Sequence, residues 1–149
     1  MGQTEDTKAV VRRFIDEFVN EGDESVANEL LAPNYVRYDP DAPGGVQEAD
    51  EFKAMIDMFG TAFPDGDVHI EEMISEGDLV VFRGKERGTH EGEFMGHEPT
   101  GETFEITGLA MHRVEDGLIK ETWANWDMLG MLQQLGIVPL PDELTEMAE

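Results

Sequence analysis

The spacing of apolar residues predicts three helices in the first half of the chain. Val10, Phe14 and Phe18 recur every four residues, so they share one face of a helix expected over residues 4–20. A short strand is expected after the second helix, because Tyr35 begins an alternating segment that ends before a loop rich in proline and glycine. The second helix is expected over about 24–31 and the third over about 52–63, and each ends where turn-forming residues begin.

From Val68 onward the apolar period changes to two, which is typical of half-buried strands. The Asp116–Gly117 pair predicts a tight hairpin, because both residue types tolerate a positive φ. A glycine-rich excursion over 92–101 is longer than a hairpin needs, and a last short helix is expected after Asp127. The four strands of this half are expected at about 68–75, 78–90, 102–115 and 118–126.

Helices followed by an antiparallel meander predict an α+β fold, with the helices packed on one face of a curved sheet. A chain of 149 residues is long enough for one core and needs no disulfide to stabilise it. We therefore expect a single domain over 1–149, with 137–149 as a peripheral tail because two prolines interrupt it.

The charge of the chain adds information about its environment. The 34 acidic residues outnumber the 10 basic ones, giving a formal net charge of −24, and the carboxylates are spread among apolar positions along the chain. This pattern indicates a folded acidic surface, whose self-repulsion is relieved by screening salt. The sequence thus predicts a halophilic protein of a high-salt cytoplasm.

Composition also argues against several classes of function. Cysteine is absent, so disulfides, thiolate nucleophiles and thiolate metal sites are excluded. So few cations make nucleic acid binding improbable, since phosphates would stay unneutralised. The sequence contains neither a run of about 20 apolar residues nor the layout of a signal peptide at its start, which favours a cytoplasmic protein without membrane contact.

Three segments of the sequence resemble the SnoaL-like group of the NTF2-like superfamily. They are the loop Gly92-Glu93-Phe94-Met95-Gly96-His97-Glu98-Pro99-Thr100-Gly101-Glu102, the stretch from Ile106 to Ile119, and the end of the chain with Asn125-Trp126-Asp127 and Gln133-Gln134-Leu135-Gly136. The resemblance covers about residues 5–138.

The resemblance implies a cone-shaped α+β barrel that encloses a pocket for a small apolar carbonyl ligand. It implies a polyketide cyclase that closes a ring by intramolecular aldol condensation, with neither metal nor organic cofactor. The residues that match the family's pocket groups are Asp127, as general acid and base, and His112. The resemblance also implies a homodimer, which would cover the open outer face of the sheet.

Two roles stay open for Asp127 from the residues themselves. Strict alternation along the last strand, without a bulge, places Trp123, Asn125 and Asp127 on one face, which we expect to be the cavity face. An aspartate just before a helix is also a preferred N-cap. The roles conflict, because hydrogen bonds from helix N–H groups lower the pKa of a carboxyl whereas an apolar cavity raises it.

His112 shares its strand face with small or apolar residues, and it is expected either to polarise a substrate carbonyl or to be an ordinary core histidine. His90 and His97 lie near glutamates, but no metal-binding spacing occurs, so no metal site is expected. The residues expected to bind substrate are Asn125, Trp123, Tyr35, Phe59 and Met111.

Three functions are compatible with this pattern. The leading hypothesis is a cyclase of the aldol type, in which Asp127 and His112 act on an apolar carbonyl compound. A module that binds small molecules or mediates assembly on the same fold, without catalysis, is the second. An isomerase or dehydratase of a carbonyl compound is the third.

Overall fold

The computed structural model describes residues 3–139, and it packs α-helices against one face of a curled six-stranded sheet. The helices are α1 (Gln3–Arg13), α2 (Glu24–Leu30), α3 (Ala49–Ala62) and α4 (Met128–Gln134). The strands are β1 (Leu31–Tyr38), β2 (Val46–Glu48), β3 (Asp67–Glu76), β4 (Leu79–Thr89), β5 (Thr103–Glu115) and β6 (Leu118–Trp126). The predicted α+β class, with a mostly antiparallel sheet, is confirmed.

The strand order is β2-β1-β6-β5-β4-β3. The predicted four-strand meander corresponds to β3 through β6, in which each strand is antiparallel to the next. β1 joins this meander by parallel pairing with β6, and β2 pairs antiparallel with β1 at the edge. The sheet is therefore extended by two strands from the helical half of the chain.

The structure differs from the sequence prediction at β1 and β2. β1 begins at Leu31 rather than at Tyr35, and Pro33 lies where its register against β6 shifts. A proline inside a strand is a weak strand signal, which is why the earlier start was missed. β2 was not predicted because its burial is inverted: Gln47 is buried while Val46 is 44% exposed.

The predicted first helix, 4–20, has a change of helix type within it. α1 ends at Arg13, and a π-helix continues over Phe14–Val19. Phe14, Ile15 and Phe18 of this wider turn are all buried, so the π-helix presents a broad apolar face to the sheet. Asn20 then fixes the end of the segment, because its side chain exchanges two hydrogen bonds with the backbone of Val68 at 2.9 and 2.7 Å.

The β5–β6 hairpin decides which side chains of β6 face inward. Asp116 and Gly117 both have positive φ, at 53° and 75°, as the sequence predicted for this turn. Val114 pairs with Ile119 but Arg113 pairs with Glu121, so Lys120 is an extra residue. Such a bulge moves the register by one position and reverses the faces of every later residue in the strand.

Buried apolar side chains form two clusters, one between the N-terminal helices and the sheet and one under α4. Trp126 packs against both clusters and so lies at their junction. The second cluster includes the glycine-rich excursion through Phe94, which is 1% exposed. Its other members are Ala62, Phe63, Phe104, Ile106, Met131 and Leu135.

Gly136 ends the last helical segment with a φ of 79°, and the chain then turns back onto α4. The backbone N–H groups of Ile137 and Val138 both donate to the carbonyl oxygen of Leu132, at 2.9 and 3.2 Å. Most of the predicted tail, 137–149, lies outside the described residues. Across residues 3–139, every helix is too short or too polar to cross a membrane.

Candidate active site

A cavity of about 150 Å³ lies between the inner face of the sheet and the helices. Its wall is mainly apolar and is contributed by the π-helix, α3 and strands β1, β3, β4, β5 and β6. The aromatic members of the wall include Phe14, Phe52, Phe59, Phe63, Phe104 and Trp126. An apolar enclosure of this kind weakens the solvation of any charged group that faces it.

Polar side chains form one row across the inner face of the sheet, and three of the four line the cavity. Gln47, Arg37, Thr122 and His112 are direct partners across β2, β1, β6 and β5, so their side chains share the inner face. All four residues are buried. The sheet register thus brings groups that are distant in sequence into one line of hydrogen-bonding side chains.

His112 is 2% exposed and lies between the rings of Phe14 and Phe82. Its Nδ1 is 2.9 Å from the Thr122 hydroxyl, and its Nε2 has no hydrogen-bond partner within residues 3–139. Burial, with the charge of Arg37 as a smaller cause, lowers the pKa of His112 to about 3. The imidazole is therefore neutral near pH 7, and His112 lies on the cavity wall.

Tyr35 supplies a second buried polar group on the cavity wall. The residue is 2% exposed, and its hydroxyl has no hydrogen bond of ordinary geometry within the described part of the chain. Burial raises the pKa of Tyr35 to about 12, although nearby Thr122 and Arg37 act in the opposite direction. The hydroxyl consequently keeps its proton and remains available as a donor.

Glu86 is a half-buried carboxyl group on the cavity wall. The inner face of β4 carries Val80 and Phe82, and alternation brings Glu86 to the same face between Gly84 and Gly88. Its carboxyl makes no hydrogen bond or ion pair within residues 3–139. Burial raises the pKa of Glu86 to about 7, against the lowering effect of Arg37.

A carboxyl group whose pKa lies near neutrality can both accept and donate a proton at physiological pH. Sequence reasoning missed Glu86, although a signal for it was present. The alternation of β4 already puts Glu86 in phase with Val80 and Phe82, so one carboxylate interrupts an otherwise apolar or glycine face. The abundance of acidic residues in this chain hid that signal.

Asp127 does not face the cavity, so its predicted position is wrong. The bulge at Lys120 reverses the faces of β6, and Thr122, Ala124 and Trp126 point inward instead. The exposed carboxylate of Asp127 accepts a hydrogen bond from the backbone N–H of Gly130 at 2.9 Å. The alternative interpretation, an N-cap for α4, is confirmed.

The other residues expected on the same face of β6 also lie outside the cavity. Asn125 is exposed, and Trp123 lies on the outer face of the sheet, stacked on Tyr38 with ring centroids 5.7 Å apart. Met111 pairs with Trp123 and shares this outer face. Of the residues predicted to bind substrate, Tyr35 and Phe59 line the cavity, whereas Asn125, Trp123 and Met111 do not.

His90, at the start of the glycine-rich excursion, packs in the core and holds the excursion in place. His90 is fully buried, and its ring lies 5.7 Å from the ring of Phe63. Its Nδ1 accepts a hydrogen bond from the backbone N–H of Thr100 at 3.3 Å, which ties the two ends of the excursion together. Within residues 3–139, no group of three or more His, Asp or Glu side chains is arranged to hold a metal ion.

Comparisons with known proteins agree with this architecture. The sequence model of the SnoaL-like polyketide cyclase family matches residues 9–135. IdmH of Streptomyces antibioticus, a proposed polyketide cyclase, is 36% identical, with a TM-score of 0.78 over 87% of this chain and 98% of that chain. AclR of Streptomyces galilaeus, a proposed hydroxylase, is 26% identical, with a TM-score of 0.83 over 98% of this chain and 91% of that chain.

A more distant structure is an epoxide hydrolase of M. tuberculosis, which is 13% identical with a TM-score of 0.69 over 89% of this chain and 90% of that chain. At this identity the likeness concerns the fold alone. The search of curated proteins finds no significant match. The structural neighbours thus carry different named chemistries on one scaffold, and the reaction has to be argued from the site.

Proposed function

This chain belongs to the SnoaL-like polyketide cyclase family, and we propose that it is an acid–base enzyme that acts on an apolar carbonyl compound by an aldol-type ring closure. The observation that carries the proposal is the inward-facing carboxyl of Glu86, whose pKa burial raises to about 7. It lies in a mainly apolar cavity that matches an apolar substrate. In this proposal Glu86 takes the acid–base role that the family resemblance implied for Asp127.

The reaction requires one group that can both remove and return a proton. Ionised Glu86 removes the proton from a carbon next to a carbonyl, and the electron pair of that C–H bond moves to the oxygen as an enolate. The enolate carbon then attacks a second carbonyl of the same molecule, forming the C–C bond. The alkoxide that results takes the proton from the Glu86 carboxylic acid, which restores the carboxylate.

His112 and Tyr35 are proposed to bind the carbonyl oxygen that is attacked. When Nδ1 of His112 accepts from the Thr122 hydroxyl, the neutral ring carries its proton on Nε2 and donates from there. The Tyr35 hydroxyl is a second buried donor. Buried donors without a partner gain most from an oxygen acceptor, because leaving them unpaired costs about 1–3 kcal/mol each.

A test of the proposed function does not need the physiological substrate. The protein is incubated with 2-tetralone, an apolar aromatic ketone, in deuterated buffer, and loss of the α-proton signal is followed by NMR. We expect exchange above the buffer rate, increasing with pH around a midpoint near the Glu86 pKa of about 7. Exchange no faster than buffer would contradict the acid–base proposal and favour a module that only binds small molecules.

We also propose that the protein is a homodimer through the outer face of the sheet, whose apolar side chains include Ile74 and Leu109, 68% and 53% exposed. Leu109→Asp is expected to convert a dimer into a monomer in sedimentation velocity at molar KCl. Leu129→Asp is the matched control, because Leu129 is 54% exposed on α4. A parent protein that sediments only as a monomer would contradict this interface.

The halophilic character predicted from composition stays a prediction. With a net charge of −24, self-repulsion destabilises the folded chain in dilute buffer and is screened within about 3 Å at 1 M salt. We expect the thermal unfolding midpoint to rise between dilute buffer and 2 M KCl. The measurement is circular dichroism at each salt concentration, and a midpoint that does not rise would argue against a high-salt working environment.

A further inference from the structure

Arg37 is the one cationic side chain among the described residues that line the cavity. It is 5% exposed, so its guanidinium is almost fully removed from water. A buried charge is costly unless it is paired, and a natural protein rarely keeps one without a reason. The contacts of Arg37 show how it is held in this position.

Three contacts fix the guanidinium group. Its Nη1 donates to Asp39 Oδ2 at 2.7 Å and to Gln47 Oε1 at 2.9 Å, and its central carbon lies 4.5 Å from the centroid of the Phe52 ring. Asp39 is fixed in turn, because its Oδ1 accepts from the backbone N–H of Asp41 at 2.9 Å. Within residues 3–139 both side-chain hydrogen bonds of Arg37 use Nη1, so its Nε and Nη2 have no acceptor in the described part of the chain and are oriented by the fixed group.

The charge of Arg37 acts on the proposed reacting groups without touching them. It lowers the pKa of Glu86 and of His112 and opposes the rise of the Tyr35 pKa. No nitrogen of Arg37 lies within 4.0 Å of a Glu86 oxygen, since no such ion pair forms within residues 3–139. The cation and the carboxyl therefore both line the cavity without forming an ion pair with each other.

We infer that Arg37 is a further catalytic residue, whose guanidinium binds the enolate oxygen that forms when Glu86 removes the α-proton. This inference rests on the proposed function. The step converts a neutral ketone and a carboxylate into an enolate and a carboxylic acid, so the negative charge moves from Glu86 to the substrate oxygen. A fixed cation at the place where charge develops stabilises the transition state, because it needs no reorganisation.

The simpler alternative is that Arg37 only neutralises Asp39. Loss of Arg37 alone would then leave a buried carboxylate unpaired, which destabilises the fold strongly and obscures any effect on function. The test variant therefore changes both residues, as Arg37→Gln with Asp39→Asn. The matched control is Arg83→Gln with Glu72→Gln, which removes an ion pair of 2.9 Å from the outer face of the sheet.

The first measurement uses 4-nitrophenol, an aromatic compound whose anion resembles an enolate and absorbs near 400 nm. The parent and the control are expected to bind the phenolate form with equal affinity. The affinity of the Arg37→Gln/Asp39→Asn variant is expected to be at least about tenfold lower. The experiment is repeated in a Glu86→Gln background, where proton abstraction is lost but the phenolate site remains. Failure of Glu86 as a base and failure of Arg37 as an anion site are thereby distinguished.

The second measurement is the pH dependence of 2-tetralone exchange. Because Arg37 lowers the pKa of Glu86, its removal is expected to move the midpoint of exchange to higher pH and to lower kcat more than it raises KM. If the double variant does not fold, Arg37→Lys is used in its place. Lysine keeps the positive charge, so the pH midpoint of exchange is expected to stay unchanged while the affinity for the phenolate falls. Phenolate binding equal to that of the parent in each folded cavity variant would overturn the inference.

Discussion

Glu86→Gln is expected to lower the rate of α-proton exchange by about 10²–10⁴-fold, which is the usual contribution of a positioned general base. Glutamine keeps the size of the side chain but cannot accept the proton. The neighbouring Gly84 and Gly88 offer no substitute group on the same strand face. The measurement is NMR-detected exchange of 2-tetralone at pH 8, where the parent carboxyl, with a pKa of about 7, is mostly ionised.

Asp127→Asn is the matched control, since it removes one carboxylate from a chain that already carries a net charge of −24. Asparagine caps a helix about as well as aspartate, so the bond from the Gly130 N–H is retained and stability changes little. We expect exchange close to that of the parent. If Asp127→Asn loses 100-fold and Glu86→Gln loses nothing, the assignment of the two carboxyl groups must be reversed.

Glu86→Gln is also expected to change the stability of the fold, which should rise although activity falls. The folded-state pKa of Glu86 is about 7 and the unfolded-state value is 4.5, so the folded chain holds this proton more tightly. Ionisation therefore destabilises the fold progressively from pH 4.5 to 7, and fully above pH 7. Glu86→Gln is expected to be more stable than the parent at pH 8, by on the order of 1–3 kcal/mol, and equal to it below pH 4.5.

A variant that loses activity while gaining stability indicates a group kept for chemistry and not for folding. Urea unfolding at pH 4 and pH 8 measures both values. A loss of stability at pH 8 would mean that Glu86 serves the fold. The paired measurements of rate and stability on one variant thus separate the two roles.

The fold was predictable because each local pattern agrees with the final structure. The apolar stripes of the helices and the period of two after Val68 both describe faces that are buried, and the Asp116–Gly117 turn forms as expected. The segments that were missed, β2 and the first residues of β1, are those in which burial and polarity disagree. Buried Gln47 in β2 and exposed Pro33 in β1 are the examples.

The residues of the site were predictable only in part, and most of the errors come from one strand, β6. His112, Tyr35 and Phe59 line the cavity as expected, because the phase of their elements follows from alternation and helical spacing. On β6 the phase depends on one bulge residue, Lys120, which no periodicity reveals. One unpaired residue therefore moved Asp127 from the expected cavity face to a helix cap.

Arg37 illustrates a different limit of sequence reasoning. Its partners Asp39 and Gln47 are close in the sequence, but its position beside Thr122 requires the parallel pairing of β1 with β6. A parallel pair between strands more than 80 positions apart leaves no local signature. Long-range register, and not residue type, decides which polar groups meet in the cavity.

Gly108→Ala is expected to displace a side chain of the cavity wall, because Gly108 pairs directly with Trp126 in the β5–β6 ladder. A Cβ atom at this position would lie 2.4 Å from two ring carbons of Trp126 and 2.9 Å from the Asn125 carbonyl oxygen. These distances are far below van der Waals contact, and the backbone oxygen cannot move aside freely. The Trp126 ring must shift, and it borders the cavity and both core clusters.

Overpacking of a well-packed core costs about 1–3 kcal/mol, so we expect the unfolding midpoint of Gly108→Ala to fall by roughly 3–10 °C in a chain of this size. Gly60→Ala is the control, because an added Cβ there meets nothing within 4 Å and alanine favours a helix by up to about 1 kcal/mol. Its midpoint should stay or rise. Thermal unfolding, tryptophan fluorescence and binding of 4-nitrophenol are measured on both variants. A Gly108→Ala protein with parental stability and parental binding would show that Trp126 can move without closing the cavity, and that the β5–β6 part of the wall is more adaptable than its packing indicates.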